Sequence, residues 1–451
     1  MGRDRPNAGP LLFGSAPGVV FRMLLELLLV LILLVLPTAL TIALPASAAT
    51  AAAGGRSGGA KLNMIYMAQA GYQPEQFQQM TREFMSRYGI EVAANIVRYD
   101  EEYQKIVTSA TSTVATYDVV LVDLIWVAEF AEKNYLVPLG KPLLSQLDLD
   151  VSPAIKRAFE YKGRVWAMPF LANIHFLFYN QDMLRRAGFS DPPTTIEEME
   201  TQMRAIKSRG ITKYPFMASW NQKEGLVCEY VWLLGAYGGE LFGPDGDVLF
   251  NRGPGVQALE TMVRWVRGGL ANPLSLTADE LLVRDVFIDG KAAFAPNWTF
   301  LDSIMNDPTV SKVAGRSGIA LLPVSADTRN RTGQISSSVS GFQGLAVMAN
   351  SLRKQEAWQY VEFMTGPDMQ KRFLQEVPIW TSLQISPELR QDDPSLGLKA
   401  EQMNWLHHRP KLARYHEVSA VLQRSIHSAL EGNVLPQQAL DTAAERIRSL
   451  L

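Results

Sequence analysis

The sequence YDVVLVDLIWVAEFAEKNYLVPL, residues 117–139, contains the strongest indication of the fold. Its first seven residues, Tyr117–Asp123, are a nearly continuous apolar run of strand length, which is typical of a strand buried on both faces of a parallel sheet. The pattern of residues 125–133 predicts a helix directly after it. This stretch therefore predicts a strand that leads into a helix, with Asp123 at the carboxyl end of the strand.

The flanking sequence continues the same alternation of strands and helices. On the amino-terminal side we expect strands at 62–68 and 91–99 and helices at 74–88 and 101–113. Strands and helices at this spacing form right-handed crossover units, so the sequence predicts an α/β protein with doubly wound sheets. The second half contains more helix, and Thr195 with Glu198 forms a capping box that predicts a helix start.

Composition excludes several classes of protein. The chain has 451 residues, of which 47% are hydrophobic and 20% charged, which excludes a disordered or collagen-like chain. This length predicts two or three structural units. The net charge of −2 argues against a nucleic-acid-binding protein. The single cysteine, Cys228, excludes an intramolecular disulfide framework and cysteine-rich metal sites.

The amino terminus predicts export. Three arginines accompany the apolar run 23–36, and Ala46-Ser47-Ala48 fits the rule for signal peptidase cleavage. The run is shorter than the roughly 20 residues of a membrane-spanning helix, although a longer reading of it leaves an uncleaved anchor open. We therefore expect a signal peptide at 1–48, a flexible leader at 49–60 and a periplasmic protein. No cysteine lies near the cleavage site, so we do not expect a lipoprotein.

Five stretches resemble, in order, the motifs of a known family. They are residues 117–139, 161–199 (YKGRVWAMPFLANIHFLFYNQDMLRRAGFSDPPTTIEEM), 287–298 (FIDGKAAFAPNW), 321–347 (LLPVSADTRNRTGQISSSVSGFQGLAV) and 409–440 (RPKLARYHEVSAVLQRSIHSALEGNVLPQQAL). Together they extend over essentially the whole chain after the leader. The chain resembles the extracellular solute-binding proteins of ABC sugar importers, in the branch that includes maltose- and trehalose-binding proteins.

The resemblance implies two α/β lobes with a ligand cleft between them. The chain would cross between the lobes near Asn173, Ser325 and Ile379. Lobe one would then consist of 61–172 plus 325–378, and lobe two of 173–324 plus 379–451. Hinges of this kind allow the lobes to close around a ligand.

The resemblance also implies the function. We expect a monomer that is not an enzyme, that needs no metal or organic cofactor, and that delivers a di- or oligosaccharide to an ABC permease in the inner membrane. One alternative is the same fold with a non-sugar ligand such as a polyamine, phosphodiester or osmolyte, because an aromatic box with carboxylates would hold a cation. A remote alternative is an exported glycosidase with a pair of carboxylates, for which Asp123 and Glu224 would be available. The five histidines form no metal-binding pattern.

Sugar binding requires hydrogen-bonding groups for the hydroxyls and aromatic rings for the apolar C–H faces. Asp123 is the first candidate because clefts lie at the carboxyl ends of strands, and its alternative role is an N-cap. Trp298 matches a sugar-stacking tryptophan of the family, and Arg409 matches its Arg-Pro turn, with a structural salt bridge as the alternative. The other candidates are Trp126, Asn173, Trp220, Glu224, Gly341, Phe342, Gln343 and Trp380.

Two further features bear on specificity and on rival functions. Gly341-Phe342-Gln343 departs from the family's Gly-Gly-Trp, so Gln343 would offer hydrogen bonds where the family has an indole, and the identity of the sugar stays open. Two patterns, G-x-S-x-G at 55–59 and G-x-G-x-x-A at 253–258, are interpreted as chance matches. Their flanking elements do not fit a nucleophile elbow or a dinucleotide-binding loop.

Overall fold

The computed structural model describes residues 61–68 and 71–451. The described residues form one compact unit. The predicted signal peptide, the flexible leader and the G-x-S-x-G pattern lie outside the described residues. Within the described ranges, no helix combines the length and apolarity that crossing a membrane requires.

The strands of the described chain are mostly short. They are β1 (Lys61–Met67), β2 (Glu91–Val97), β3 (Val119–Asp123), β4 (Leu136–Val137), β5 (Glu160–Tyr161), β6 (Arg164–Val165), β7 (Met168–Leu171), β8 (His175–Asn180), β9 (Phe294–Trp298), β10 (Ser317–Ala320), β11 (Ser338–Val339), β12 (Gln343–Met348) and β13 (Leu406–His407).

Helices account for more of the chain than strands do. They are α1 (Pro74–Tyr88), α2 (Tyr99–Thr111), α3 (Val127–Glu132), α4 (Lys141–Asp150), α5 (Pro153–Ala158), α6 (Gln181–Arg186), α7 (Ile196–Ser208), α8 (Glu224–Ala236), α9 (Pro254–Arg267), α10 (Glu280–Ile288), α11 (Leu301–Met305), α12 (Ala326–Thr332), α13 (Lys354–Thr365), α14 (Pro367–Arg372), α15 (Thr381–Gln384), α16 (Leu389–Asp392), α17 (Leu396–Gln402), α18 (Tyr415–Leu430) and α19 (Pro436–Arg448). Three 3₁₀ helices lie at Leu124–Trp126, Pro273–Thr277 and Met403–Trp405.

The first sheet has the strand order β2-β1-β3-β12-β4, and β7 also pairs with β12. Strands β1, β2 and β3 are parallel, as the alternation of strands and helices predicted. β12 is antiparallel to β3, and its register places Gln343 opposite Asp123. All five residues of β3 are buried, as expected for an inner strand covered on both faces.

The second sheet is antiparallel, with the order β10-β8-β9. The chain passes from β7 in the first sheet to β8 in the second through only three residues, and Asn173 is the middle one. We call the structure around the first sheet the first lobe and that around the second sheet the second lobe. The predicted α/β class with two lobes is confirmed.

For two of the expected lobe crossings, the hydrogen bonds favour positions other than the predicted ones, and the exact bounds stay a prediction. The Ser325 N–H donates to the Ala236 carbonyl, and the Ser338 hydroxyl donates to the His175 carbonyl, so the chain stays with the second lobe beyond Ser325. Because Gly341 then bonds to Asn173 and β12 joins the first sheet, the contacts favour a crossing at 340–342. These bonds are long-range, and no local pattern in the sequence indicates them.

For the third crossing, the contacts favour a position later than the predicted Ile379. The Trp380 indole donates to the Thr365 carbonyl in α13 at 2.9 Å, which keeps this part of the chain on the first lobe. The Ser395 hydroxyl donates to Asp302 at 2.7 Å, and the Gln402 side chain accepts from the Leu322 N–H at 3.0 Å. The contacts therefore favour a crossing between α15 and α17.

Local predictions agree with the described helices. α1 has the predicted bounds, and α7 begins after Thr195, whose hydroxyl accepts from the Glu198 N–H at 3.1 Å while Glu198 reaches back to the Thr195 N–H. This capping box was predicted. Trp232 and Trp265 are buried in the core of the second lobe.

Candidate ligand-binding cleft

A cavity lies between the two lobes. It contains about 570 Å³ of space not filled by atoms, including the solvent at its mouth. Its lining residues are Met67, Tyr99, Asp100, Asp123, Asn173, Lys223, Glu224, Gly225, Cys228, Asp279, Glu280, Trp298, Gly341, Gln343 and Arg409. Seven of the residues predicted from the sequence are therefore brought together here: Asp123, Asn173, Glu224, Trp298, Gly341, Gln343 and Arg409.

One edge of the first sheet supplies one wall of the cavity. Met67 ends β1, Asp123 ends β3, and Tyr99 and Asp100 follow the end of β2. Carboxyl ends of parallel strands meet at one edge of a sheet, which explains why these side chains lie together. Gln343 lies at the same edge because β12 runs antiparallel and begins there.

The second lobe supplies the opposite wall. Trp298 ends β9, and Lys223, Glu224 and Gly225 lie at the start of α8. Asp279 is the N-cap of α10, where its carboxylate accepts from the Leu282 N–H at 3.0 Å; the cavity-lining Glu280 follows it.

The hydrogen-bonding capacity of Asp123 is largely used by the protein. Its carboxylate accepts from the Ile125 N–H at 3.2 Å, from the Tyr99 hydroxyl at 2.8 Å and from Arg409 at 3.1 Å. An ionised carboxylate has about four acceptor positions. The contacts support the N-cap alternative and add an ion pair, and binding of a ligand by Asp123 stays a prediction.

Arg409 connects the two walls of the cavity. Its buried guanidinium donates to Asp123, to Glu224 at 2.9 Å and to the Ser340 carbonyl at 3.2 Å. Although burial acts in the opposite direction, Asp123 and Glu224 raise the pKa of Arg409 well above its usual value, so the side chain stays charged. The contacts support the structural salt bridge, and ligand binding by Arg409 stays a prediction. Glu224 also accepts from the Tyr415 hydroxyl at 2.7 Å.

Trp298 lines the cavity, and the position of its indole ring requires a glycine at 341. A Cβ atom at Gly341 would lie 2.6 Å from the indole ring, so any other residue at 341 would displace the ring. Another neighbour of the indole is the buried imidazole of His175, with ring centroids 3.9 Å apart. Burial lowers the pKa of His175 to about 3, so this imidazole is neutral.

Two amides in the cavity have unused acceptors. Asn173 and Gln343 are both 3% exposed, and among the described residues neither Asn173 Oδ1 nor Gln343 Oε1 has a hydrogen-bond partner. The amide nitrogen of Gln343 donates to the sulfur of Met67 at 3.2 Å. Buried acceptors without partners are costly, so both oxygens favour a ligand that donates hydrogen bonds.

The structure does not bring the other four candidates to this cavity. Phe342 is buried, and Trp220 is buried against Phe216. Trp380 is held by its indole bond on the first lobe. Trp126 lines a neighbouring pocket, where it stacks on Tyr99 with ring centroids 5.3 Å apart.

Sequence reasoning missed several charged residues of the cavity. Asp100 follows the end of β2. The rule that clefts lie at the carboxyl ends of strands, which indicated Asp123, therefore also applied to Asp100. Asp279 and Glu280 occupy the cap and first turn of α10, where acidic residues are common for local reasons, and only the packing of α10 against β9 brings them to the cleft. No pattern in the sequence indicated that Lys223 would line the cavity.

Two ion pairs cross the mouth of the cleft. Arg98 and Asp279 lie 2.9 Å apart, and Lys223 pairs with Asp100. Each pair joins a residue at the start of α2 in the first lobe to one at the start of a second-lobe helix. The structure therefore corresponds to a closed arrangement of the lobes. Within residues 61–68 and 71–451, no group of three or more His, Cys, Asp or Glu side chains could hold a metal ion.

The two lobes and the polar cleft between them define a binding protein that encloses a small ligand. The chain belongs to the bacterial extracellular solute-binding protein family, whose model matches residues 70–371. Proteins of this family are substrate-binding components of ABC transporters and are not enzymes.

Individual binding proteins of known sequence or structure are also similar to this chain. A probable ABC transporter-binding protein of Deinococcus radiodurans is 27% identical over 337 residues, which are 72% of this chain and 78% of that protein. The maltose-bound MalE3 structure of T. maritima is 25% identical with a TM-score of 0.81, covering 87% of this chain and 100% of the other. A solute-binding protein of Agrobacterium radiobacter K84 in complex with ribitol is 24% identical with a TM-score of 0.77, and the match covers 87% of this chain and 99% of that protein.

Proposed function

We propose that this protein binds a di- or oligosaccharide in the cleft between its lobes and delivers it to the membrane permease of an ABC importer. The main support is the composition of the cavity, in which unfilled amide acceptors of Asn173 and Gln343 lie close to the indole of Trp298. Sugar hydroxyls would donate to the acceptors, and an apolar C–H face would stack on the indole. Similar structures hold maltose and ribitol, which have the same hydroxyl-rich chemistry.

The same proposal includes the finer features of location and assembly. The protein would be exported by a signal peptide cleaved near Ala48, would not be a lipoprotein and would act as a periplasmic monomer. Intact-mass measurement of the exported protein tests the cleavage site, and light scattering tests the oligomeric state.

Isothermal titration with a panel of mono-, di- and trisaccharides and polyols tests the binding function. We expect at least one saccharide to bind with a Kd in the micromolar range or below, about −8 kcal/mol. Native mass spectrometry of freshly purified protein would in addition weigh any ligand retained from the cell. If a polyamine, phosphodiester or osmolyte bound and no saccharide did, the sugar function would be wrong and the non-sugar alternative would replace it.

A further inference from the structure

Negatively charged groups outnumber positively charged groups around the cavity. Its lining contains five carboxylates, Asp100, Asp123, Glu224, Asp279 and Glu280, but only two cations, Lys223 and Arg409. A neutral ligand would leave this excess in place, in a space from which binding removes water. The excess therefore favours a ligand that brings positive charge.

The two cations are already engaged with other carboxylates. Arg409 bonds to Asp123 and Glu224, and Lys223 pairs with Asp100. Asp279, in turn, is neutralised by Arg98 from the other lobe. Among the described residues, Glu280 is thus the carboxylate of the cavity that no ion pair compensates.

Glu280 is placed next to the aromatic surface of the cavity. It is half-buried, and its carboxyl lies beside the Trp298 indole. Its Oε1 atom lies against Gly225, where a Cβ atom would be only 2.6 Å away, so the glycine makes room for the carboxylate. Burial raises the pKa of Glu280, and the neighbouring Asp279 adds to this, because both disfavour its negative charge.

Of the buried cavity atoms that lack a hydrogen-bond partner among the described residues, two are acceptors, like the carboxylates in excess, and one, Arg409 Nε, is a donor. Asn173 Oδ1 and Gln343 Oε1 are acceptors without partners, on side chains that are more than nine-tenths buried. They are independent of the carboxylates, because they lie on the crossing segment and on β12. An ammonium group supplies three donors, whereas a hydroxyl supplies one.

We infer that the sugar bound in this cleft carries a positively charged amino group, which binds the carboxylate of Glu280. An ammonium group suits this site, since it would compensate the charge of the carboxylate and donate a charge-assisted hydrogen bond to it. The inference rests on the proposed sugar-binding function and specifies the chemical class of the sugar.

Titration with matched pairs of saccharides on the full mature chain tests this inference. The pairs are D-glucosamine and D-glucose, D-galactosamine and D-galactose, and the disaccharide of glucosamine and cellobiose, with the N-acetylated forms as uncharged controls. We expect an amino sugar to bind at least about tenfold more tightly than its neutral partner, the effect of one charge-assisted bond. Glu280→Gln should remove about tenfold or more of that preference.

Glu401→Gln is the matched control. Glu401 is also a half-buried glutamate beside a tryptophan indole, that of Trp405, from which it accepts a bond at 2.8 Å, but it does not line the cavity. Glu401→Gln should leave the preference for amino sugars over neutral sugars unchanged. Glu280→Asp retains the charge and should retain part of the preference if Glu280→Gln does not fold.

The outcomes separate this inference from the proposed function. Equal or tighter binding of neutral sugars would overturn the inference and leave the proposed function intact. If no saccharide of either kind bound, the proposed function would be wrong, and the inference with it. Binding of putrescine alone would have the same consequence, because the ligand would then be a polyamine.

Discussion

Asp123 and Arg409 form a buried ion pair, with Nη2 of the guanidinium 3.1 Å from Oδ1 of the carboxylate. Arg409 also bonds to Glu224, which belongs to the other lobe. One cation is therefore shared between carboxylates from both sides of the cleft. A buried charge that loses its partner is costly, so we expect substitutions at this pair to affect stability as well as binding.

Asp123→Ala should destabilise the ligand-free protein. Removal of one partner of a buried ion pair costs about 3 kcal/mol, although Glu224 continues to compensate part of the charge of Arg409. Denaturant unfolding measures this difference. Asp148→Ala is the control, because Asp148 pairs with Lys156 at an exposed site and its loss should cost about 1 kcal/mol or less. An unchanged unfolding free energy for Asp123→Ala would contradict the assigned role.

Trp298→Ala should weaken sugar binding. Loss of the stacking surface corresponds to about 1–3 kcal/mol, or about 5- to 150-fold in Kd, and titration with the best saccharide measures it. Trp265→Phe is the control, since Trp265 is buried in the second lobe and does not line the cavity. It should lower the melting temperature without changing affinity, and equal affinity losses for both variants would argue against a stacking role.

Gly341→Ala should also weaken binding, although glycine 341 offers no side chain to a ligand. The new methyl group would lie 2.6 Å from the Trp298 ring and would displace it, so we expect a loss of about tenfold or more in affinity. In contrast, Gly397→Ala introduces a Cβ with no atom closer than 3.9 Å. That variant should bind as the wild type does, and quenching of tryptophan fluorescence by the ligand would show whether the indole has moved.

Arg98→Ala should favour an open arrangement of the lobes. It removes one ion pair across the cleft, and such a half-exposed pair contributes up to about 1 kcal/mol, which is about fivefold in an equilibrium constant. Small-angle scattering of the ligand-free protein should show a larger radius of gyration, and addition of a tight ligand should restore the compact form. Arg185→Ala, which removes an exposed pair within α6, should change neither quantity.

The stability of the protein should decrease as the pH rises from about 5 to about 8, partly because of Glu229. This carboxyl is buried in α8, where it accepts from the Trp232 indole at 2.7 Å, and burial raises its pKa to about 8. In the unfolded chain it ionises near its usual value, so over this range the folded state holds a proton that the unfolded state has released. Raising the pH then favours unfolding, by at most about 1.4 kcal/mol per pH unit for one group.

Glu229→Gln tests the assignment of this pH dependence. The amide retains an acceptor for the indole but does not titrate, so the unfolding free energy measured at pH 5, 6.5 and 8 should depend less steeply on pH. If the variant and the wild type had the same slope, another group would be responsible.

The parts of the fold that depend on local patterns could be predicted from the sequence. The apolar run 117–123 indicated a buried strand, and its end indicated Asp123, because strand direction alone determines which edge of a sheet carries the cleft. Trp298 was indicated by its resemblance to a family motif. The lobe crossings could not be placed in this way, since they depend on hydrogen bonds such as that of Ser338 to His175, far apart in the sequence.

The partners within the cleft were also beyond prediction. Trp220 and Trp298 both follow short apolar runs, yet only Trp298 lines the cavity, because Trp220 is covered by neighbouring parts of the second lobe. Glu280 has the same local pattern as an ordinary acidic residue in the first turn of a helix. Its distinction comes from Trp298 and Gly225, which no spacing rule connects to it.

The position of β12 in the first sheet has a consequence for the order in which the polypeptide can acquire its structure. β12 lies between β3 and β4, so two strands made early acquire their common neighbour only after most of the chain has been translated. Arg409 follows Asp123 by 286 residues, which is roughly 15–60 s of synthesis at 5–20 residues per second. Until β12 is made, the first sheet lacks an inner strand. Until Arg409 is made, the carboxylate of Asp123 lacks its counter-ion. The first sheet therefore cannot be completed before β12 is available, and the pairing of β12 with β3 is a long-range contact of the kind that slows folding.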